Sequence, residues 1–319
     1  MILAGIDIGT NSIRLLIAET GPGAFRQLYS TRRTTRLGKD LDRTGMLSPD
    51  AMARSLSALI EFSACIHRFS AVQTSAIGTS ALRNASNAHT FIADVRQRTG
   101  IDISVISGED EARLTLRGVK SALQEEGMKA DALDSALVID IGGGSTEFIV
   151  TSEGSKPLVQ SLPLGAVYLS ERYSTADPTG ADALAAIRQA VRSELDKAEQ
   201  SGPALPHAAG DRPQQLIGTA GTITTLAAMD QAMTVYDPAR INGSVLTRGA
   251  VDRIVLTLVR STSAERRTLA GLEPGREDII LPGAIITQEI MERYAYREML
   301  VSDWGLREGI IVDLLTRRS

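Results

Sequence analysis

The stretch Asp7-Ile8-Gly9-Thr10-Asn11-Ser12 ends a short apolar run and recurs, from position 140, as Asp140-Ile141-Gly142-Gly143-Gly144-Ser145. Each copy has an acid at the end of a predicted strand, followed by a turn of small and hydroxyl residues. Backbone N–H groups in such a turn can approach an anion, because glycine has no β-carbon to block it. An ordinary hairpin turn would explain one copy alone. Two copies in matching positions favour a duplicated architecture with a phosphate-binding loop in each half.

The elements predicted around the two turns recur in the same order. The first half is predicted to contain strands at 4–7, 12–18, 25–30, 71–77 and 101–106 and helices at 48–66, 86–99 and 109–123. The second is predicted to contain strands at 135–140, 146–151, 157–162 and 215–217, together with further helices that include 223–233. Ser48 and Pro49 suit the N-cap and first position of a helix. We therefore predict an α/β protein of two lobes with duplicated βββαβαβα topology, and domains at 1–125 and 126–319.

Composition excludes several classes of protein. The net charge of −4 over 319 residues argues against binding along a nucleic-acid backbone, which needs a basic face. No apolar run reaches the roughly 18 residues of a membrane helix, and the N-terminus lacks the basic region of a signal sequence. The single cysteine, Cys65, cannot form an internal disulfide. We expect a cytoplasmic protein whose partners include neither nucleic acid nor a membrane.

The glycine-rich turns differ from the common nucleotide-binding motifs. No G-x-x-x-x-G-K-[ST] stretch occurs, and Glu147 stands where a dinucleotide fingerprint would have its third glycine. The three histidines have no spacing typical of metal ligands, so a zinc site is not expected. The segment 204–213 has the composition of a surface loop.

The chain contains six motifs in a fixed order. They are Gly5-Ile-Asp-Ile-Gly-Thr-Asn-Ser12, Arg36-Leu-Gly38, Gly78-Thr-Ser-Ala-Leu-Arg83, Ser107-Gly-Glu-Asp-Glu-Ala-Arg113, Asp140-Ile-Gly-Gly-Gly-Ser-Thr-Glu147 and Gly218-Thr-Ala-Gly-Thr222, and Trp304-Gly-Leu-Arg-Glu-Gly309 closes the series. In residues and order, this set resembles the exopolyphosphatase and guanosine pentaphosphate phosphatase (Ppx/GppA) family. The resemblance implies the actin-like fold of the sugar kinase, Hsp70 and actin superfamily, with a cleft between two lobes. It also implies a short form without the C-terminal HD-type domain of long members.

The resemblance assigns the catalytic carboxylate to Glu111, which would open a helix after a strand. A phosphoanhydride hydrolase needs a base to orient and deprotonate water, and cations to offset charge on the phosphate oxygens. Carboxylates are the usual protein ligands of hydrated Mg²⁺. We therefore expect Mg²⁺, with Mn²⁺ as the alternative, on Asp140, Glu147 and Asp7. The expected phosphate-binding residues are Gly9, Thr10, Asn11, Ser12, Arg83, Gly142, Gly143, Gly144 and Ser145.

The expected activity is removal of the terminal phosphate from inorganic polyphosphate. Hydrolysis of guanosine pentaphosphate (pppGpp) is the alternative, and an ATP-dependent small-molecule kinase or a non-catalytic nucleotide-binding regulator are more remote ones. A basic stretch that includes Arg32, Arg33 and Arg36 could guide a polyanion, although a solvated loop would have the same composition. The oligomeric state stays open, with a homodimer as one expectation.

Overall fold

A computed structural model describes residues 1–21, 24–125, 130–173, 176–201 and 213–317. The strands are β1 (Ile2–Ile8), β2 (Ser12–Gly21), β3 (Ala24–Thr34), β4 (Gln73–Gly78), β5 (Ile103–Val105), β6 (Ser135–Ile141), β7 (Thr146–Ser152), β8 (Leu158–Leu162), β9 (Gln215–Thr219), β10 (Val245–Thr247) and β11 (Glu298–Val301). The helices are α1 (Leu41–Thr44), α2 (Pro49–Arg68), α3 (Ser80–Asn84), α4 (Ala88–Thr99), α5 (Gly108–Glu125), α6 (Ala166–Tyr173), α7 (Ala181–Ser201), α8 (Ala220–Asp230), α9 (Pro238–Ile241), α10 (Arg248–Arg260), α11 (Ser263–Arg266), α12 (Ile280–Arg293) and α13 (Leu306–Thr316), with a 3₁₀ turn at Ala130–Leu133.

The two sheets have the same strand order over five strands each. The first has the order β3-β2-β1-β4-β5, with β1, β2 and β3 antiparallel and β4 and β5 parallel to β1. The second has the order β10-β11-β9-β6-β7-β8, in which β6, β7 and β8 repeat the antiparallel meander and β9 and β11 the parallel pair. Strand β10 is an added antiparallel edge. The predicted duplication of topology is confirmed.

The chain forms two compact units, each around its own core. Unit 1 comprises Met1–Gly118 and Leu306–Ser319, and unit 2 comprises Val119–Gly305. Buried aliphatic and aromatic residues of β1 and β2 pack with α2 and α4 in unit 1, including Ile6, Leu15 and Phe62. The larger core of unit 2 joins β6 and β9 to helices α7, α8, α10 and α12.

These units divide the chain at other points than the predicted domains 1–125 and 126–319. Helix α13 packs on unit 1, where Ile311 and Leu314 cover Leu3 and Leu16 of the first hairpin. The first change of unit falls inside α5, after Gly118. Continuous domains were predicted because the apolar pattern of a helix shows which face it buries but not which sheet receives it.

Local signals were accurate where capping residues marked the ends of a helix. Helix α2 begins at Pro49, and the Ser48 side chain accepts a hydrogen bond from the Ala51 N–H at 3.3 Å, as expected for an N-cap. Helix α4 ends at Thr99, and its C-cap residue Gly100 has a φ of 70°. Strand β5, predicted at 101–106, covers only Ile103–Val105.

Several short elements were missed, among them helices α1 and α3 and strands β10 and β11. Of the strands after β8, only β9 was predicted, at 215–217. Each of these four missed elements has five residues or fewer, a length at which periodicity cannot separate strand, helix and loop. The predicted surface loop at 204–213 lies, except for Pro213, outside the described residues. Within the described ranges no helix is long and apolar enough to cross a membrane.

Candidate active site

The two predicted phosphate loops adopt matching turns. In unit 1 the loop follows Asp7, and the Gly9 N–H donates to the Ser12 carbonyl at 3.1 Å. In unit 2 the loop follows Asp140, and the Gly142 N–H donates to the Ser145 carbonyl at 3.0 Å. The sequence repeat is therefore also a repeat of backbone geometry.

A row of polar side chains crosses the sheet of unit 2 beside its loop. Asp140 on β6 lies directly opposite Glu147 on β7, Glu147 lies opposite Ser161 on β8, and Asp140 lies beside Thr219 on β9. The Ser161 hydroxyl donates to Glu147 Oε1 at 2.8 Å, which orients that carboxylate. Asp140 is 7% exposed and Glu147 fully buried. Two carboxylates are thus brought together where the sequence predicted metal ligands.

The corresponding row of unit 1 carries the opposite charge. Asp7 on β1 lies opposite Arg14 on β2, and Arg14 lies opposite Arg32 on β3. Directly opposed residues share one face of a sheet, with Cβ atoms about 5 Å apart. Arg14, which follows the last residue of the Asp7 loop motif by two positions, was not predicted as a site residue. The register that a tight hairpin turn imposes on its two strands would have predicted Arg14 opposite Asp7.

The donor set of unit 2 fits a hydrated divalent cation. Like charges placed directly opposite on paired strands are destabilising, and a cation offsets that repulsion. Mg²⁺ commonly takes one or two protein carboxylates and fills its other positions with water and phosphate oxygens. The described residues contain no group of three or more acidic, histidine or cysteine side chains that could hold a metal. Asp7 belongs to unit 1, so of the three predicted metal ligands unit 2 contains Asp140 and Glu147.

Glu111 lies in the first turn of α5, with its side chain 10% exposed. Arg83, at the end of α3, donates from Nη1 to Glu111 Oε2 at 3.1 Å and to the Ile106 carbonyl at 2.9 Å. The guanidinium therefore offsets the cost of burying the carboxylate charge. The structure brings together the predicted catalytic acid and the predicted phosphate-binding arginine. The role of Arg83 as a phosphate ligand stays a prediction.

The two acids next to Glu111 have a different environment. Glu109 and Asp110 are exposed, and Arg113 pairs with both, at 3.2 and 3.1 Å. Ser107 caps the helix by accepting a hydrogen bond from the Asp110 N–H at 3.1 Å. These contacts belong to an ordinary acidic first turn that favours the helix dipole. Glu111 differs from its neighbours by burial.

The predicted guiding arginines do not share one face. Arg32 and Arg33 are consecutive on β3 and project from opposite sides of the strand. Arg33 pairs with Glu61 of α2 at 2.9 Å, whereas Arg32 lies on the side of Arg14. Arg36 has a φ of 50°, and its N–H donates to the Asn11 carbonyl at 2.9 Å. Of the three, the backbone of Arg36 contacts the phosphate loop.

Known proteins resemble this chain over almost its whole length. The Ppx/GppA phosphatase family model matches residues 16–318. Exopolyphosphatase 2 of Mycobacterium tuberculosis is 35% identical, over 98% of this chain and 98% of that protein. A family member from Aquifex aeolicus has 32% identity and a TM-score of 0.81, and the match covers 100% of this chain and 99% of its own. An exopolyphosphatase from Cytophaga hutchinsonii has 28% identity and a TM-score of 0.88, over 99% and 98%.

These matches agree with the two sheets of matching strand order, so the predicted α/β fold of two lobes with duplicated topology is confirmed. The predicted resemblance is confirmed as well, since both the family model and the relatives extend over both units. The chain belongs to the Ppx/GppA phosphatase family.

Proposed function

We propose that this chain is an exopolyphosphatase that hydrolyses the terminal phosphoanhydride bond of inorganic polyphosphate. The substrate is supported by the relative named exopolyphosphatase 2, which matches both units at 35% identity. The observation that carries the proposed chemistry is the Glu111 carboxylate, which is buried in the first turn of α5 and paired with Arg83 at 3.1 Å. An acid held in this way is oriented before the substrate arrives.

In the proposed reaction, Glu111 accepts a proton from the water that attacks the terminal phosphorus. The bond to the bridging oxygen breaks, and that oxygen leaves on the shortened chain. Positioning is the main task of the protein in phosphoryl transfer, because most of the catalytic effect is geometric and electrostatic. The ion pair with Arg83 keeps the acceptor carboxylate from rotating. A buried general base of this kind contributes roughly 10²- to 10⁴-fold to the rate.

The two loops are proposed to bind phosphate through backbone N–H groups and the side chains of Thr10 and Ser145. Asp140 and Glu147 are proposed to hold Mg²⁺, with Mn²⁺ as the alternative. When bound, Mg²⁺ would offset negative charge on the phosphate oxygens. Asp7 is proposed as the third acid of this set, and it lies directly opposite Arg14 in the sheet of unit 1.

Hydrolysis of pppGpp is the second candidate, because it breaks the same kind of bond with the same groups. The family name covers both activities. A kinase of this fold would need an acceptor hydroxyl beside its base, and a non-catalytic regulator would tolerate the loss of Glu111. Both are less well supported, since the matched relatives are phosphatases.

Phosphate release from long-chain polyphosphate and from pppGpp, each with Mg²⁺, tests the proposal. We expect a higher kcat/KM for polyphosphate. A higher value for pppGpp would replace the proposed substrate and keep the chemistry. No release from either substrate would reject the hydrolase.

A further inference from the structure

In each unit, the segment that follows the third strand of the meander returns to the back of the phosphate loop. In unit 1 this is residues 35–38, after β3, and in unit 2 it is residues 165–168, after β8. We call them the backing segments. Arg36-Leu37-Gly38 is one of the family motifs, but neither Gly38 nor Gly165 is among the predicted phosphate-binding residues.

The backing segment of unit 1 binds two carbonyl groups of its loop. The Gly38 N–H donates to the Thr10 carbonyl at 2.9 Å. The N–H groups of Thr35 and Arg36 donate to the Asn11 carbonyl at 3.1 and 2.9 Å. Both carbonyl groups are thereby directed toward the backing segment.

The backing segment of unit 2 does the same with the start of α6. The Ala166 N–H donates to the Gly142 carbonyl at 3.0 Å. The N–H groups of Val167 and Tyr168 donate to the Gly143 carbonyl at 2.8 and 3.1 Å. The first N–H groups of a helix have no acceptor within the helix, and here the carbonyl groups of the loop accept their hydrogen bonds.

The direction of these carbonyl groups fixes the direction of the loop N–H groups. A trans peptide unit is planar, with its C=O and its N–H pointing in opposite directions. The N–H of Asn11 therefore points away from residues 35–38, and the N–H groups of Gly143 and Gly144 point away from α6. Successive N–H groups that point the same way form an anion-binding concavity.

The backing segments approach the loops too closely for a β-carbon. A β-carbon on Gly165 would lie 2.3 Å from the Gly143 oxygen and 2.5 Å from the Gly144 nitrogen. One on Gly38 would lie 2.4 Å from Cγ2 of Thr10. Neither glycine has a positive φ. The loop itself, and not the backbone conformation, is what excludes a side chain at these positions.

We propose that Gly38 and Gly165 are positioning residues that hold the two phosphate loops with their N–H groups directed toward the phosphates of the substrate. The inference rests on the proposed function for the identity of the substrate. The role belongs to binding, so its loss should raise KM and the dissociation constant of a phosphate ligand more than it lowers kcat.

The test in unit 1 introduces a steric clash with Gly38→Ala and removes it again with a second substitution at Thr10. Gly38→Ala pushes against the Thr10 methyl group, and Thr10→Ser removes that methyl while keeping the hydroxyl. We expect Gly38→Ala to raise the dissociation constant of methylenediphosphonate, a non-hydrolysable diphosphate, about tenfold, or about 1.4 kcal/mol. Thr10→Ser alone is measured as the reference, and the double variant Thr10→Ser with Gly38→Ala should bind methylenediphosphonate about as tightly as that reference, because the methyl group with which the added β-carbon clashes is then absent.

The unit 2 test has a matched control. Gly165→Ala should weaken methylenediphosphonate binding by about tenfold or more, because the clash there is with backbone that cannot be trimmed. A β-carbon on Gly180 would meet no atom within 4 Å beyond its chain neighbours, and Gly180 has no positive φ, so Gly180→Ala should leave binding unchanged. Calorimetry gives the dissociation constants, and thermal unfolding reports whether each variant is folded.

The outcomes separate this inference from the proposed function. A wild-type protein that hydrolyses polyphosphate, with Gly38→Ala and Gly165→Ala binding the diphosphonate normally, overturns the inference alone. Failure of Gly38→Ala to fold, or a lower kcat with unchanged affinity, also overturns it, because the role would then be structural. If Gly165→Ala does not fold, the dissociation constants of Gly38→Ala, Thr10→Ser and the double variant decide whether the inference holds. If the wild type hydrolyses neither substrate, the binding measurements still decide the roles of the glycines.

Discussion

Asp140 and Glu147 lie directly opposite one another on the paired strands β6 and β7, and both are buried. At the equivalent position of the other sheet, Asp7 faces Arg14 instead. The duplicated hairpins therefore differ in charge at the same place. An opposed acid and arginine stabilise their strand pair, whereas two opposed acids destabilise theirs. A cation bound between the two acids would therefore stabilise the hairpin of unit 2.

Glu147→Gln should abolish most of the stabilisation of the protein by Mg²⁺. The change removes one of two opposed charges, so the metal-free variant should be as stable as the metal-free wild type or more stable. A ligand that binds only the folded state raises the unfolding midpoint, and this rise should be smaller in the variant. Thermal unfolding with and without Mg²⁺ measures it, without reference to activity.

The matched control is Asp134→Asn, which neutralises an exposed acid just before β6. It should leave the Mg²⁺ effect on the unfolding midpoint as in the wild type. An equal effect of Mg²⁺ on Glu147→Gln and wild type would show that another acid binds the ion.

Glu111→Gln should lower kcat by about 10²-fold or more with little change in KM, because it removes a base while keeping its shape. The control is Glu109→Gln in the same turn of α5. That side chain is 65% exposed and pairs only on the surface with Arg113, so kcat should stay within about twofold. Phosphate release under saturating polyphosphate measures both. Near-normal turnover of Glu111→Gln would remove Glu111 from the mechanism.

The features predicted from sequence are those encoded within a few residues. The two Asp-Ile-Gly turns, the Ser48 cap and the strand on each side of each turn follow from local patterns, and the repeat of those patterns gave the duplicated topology. The family motifs gave Glu111. All of these can be predicted from the sequence without knowing which distant segments of the chain contact each other.

The features that were missed depend on contacts between segments that are far apart in sequence. Helix α13 packs on unit 1 because Ile311 and Leu314 complete a patch with Leu3 and Leu16, nearly the whole chain away in sequence. Arg83 and Glu111 were expected to bind phosphate and water separately, but the fold joins them in an ion pair. The contacts of Gly38 and Gly165 with the loops likewise follow from the return of the chain after the third strand.

The stability of unit 2 should depend on pH through Glu199, at the end of α7. Arg293 of α12 donates to both of its carboxylate oxygens at 2.7 Å. The hydrogen bond from Arg293 is the main cause of the lowered pKa of Glu199, and burial opposes it. A lowered folded-state pKa means stability that is present above the ordinary value of 4.5 and lost as pH falls through the folded value.

Glu199→Gln should therefore destabilise the protein by about 1.5–3 kcal/mol at pH 7, and the difference from wild type should shrink as pH falls below about 4. Asp196→Asn is the control, since Asp196 binds the same arginine but is 56% exposed. It should cost less than about 1 kcal/mol. Urea unfolding at several pH values measures both, and a difference that stays constant down to about pH 3 would contradict the linkage.

Arg32 and Arg33 offer a test of whether long polyphosphate contacts the sheet of unit 1. Arg32 lies opposite Arg14, and two opposed arginines gain from an anion between them, whereas Glu61 already neutralises Arg33. Charges more than about 8 Å apart are largely screened at physiological ionic strength, so the effect should appear at low salt. We expect Arg32→Ala to raise KM for long polyphosphate severalfold at low salt, with kcat little changed.

The control is Arg33→Ala, which should change KM for long polyphosphate less, and KM for pppGpp should respond to neither variant. Equal effects of the two variants would mean that net charge, and not the face that Arg32 shares with Arg14, attracts the substrate. A normal KM for long chains in Arg32→Ala, together with efficient hydrolysis of pppGpp, would favour the guanosine pentaphosphate activity over the one proposed.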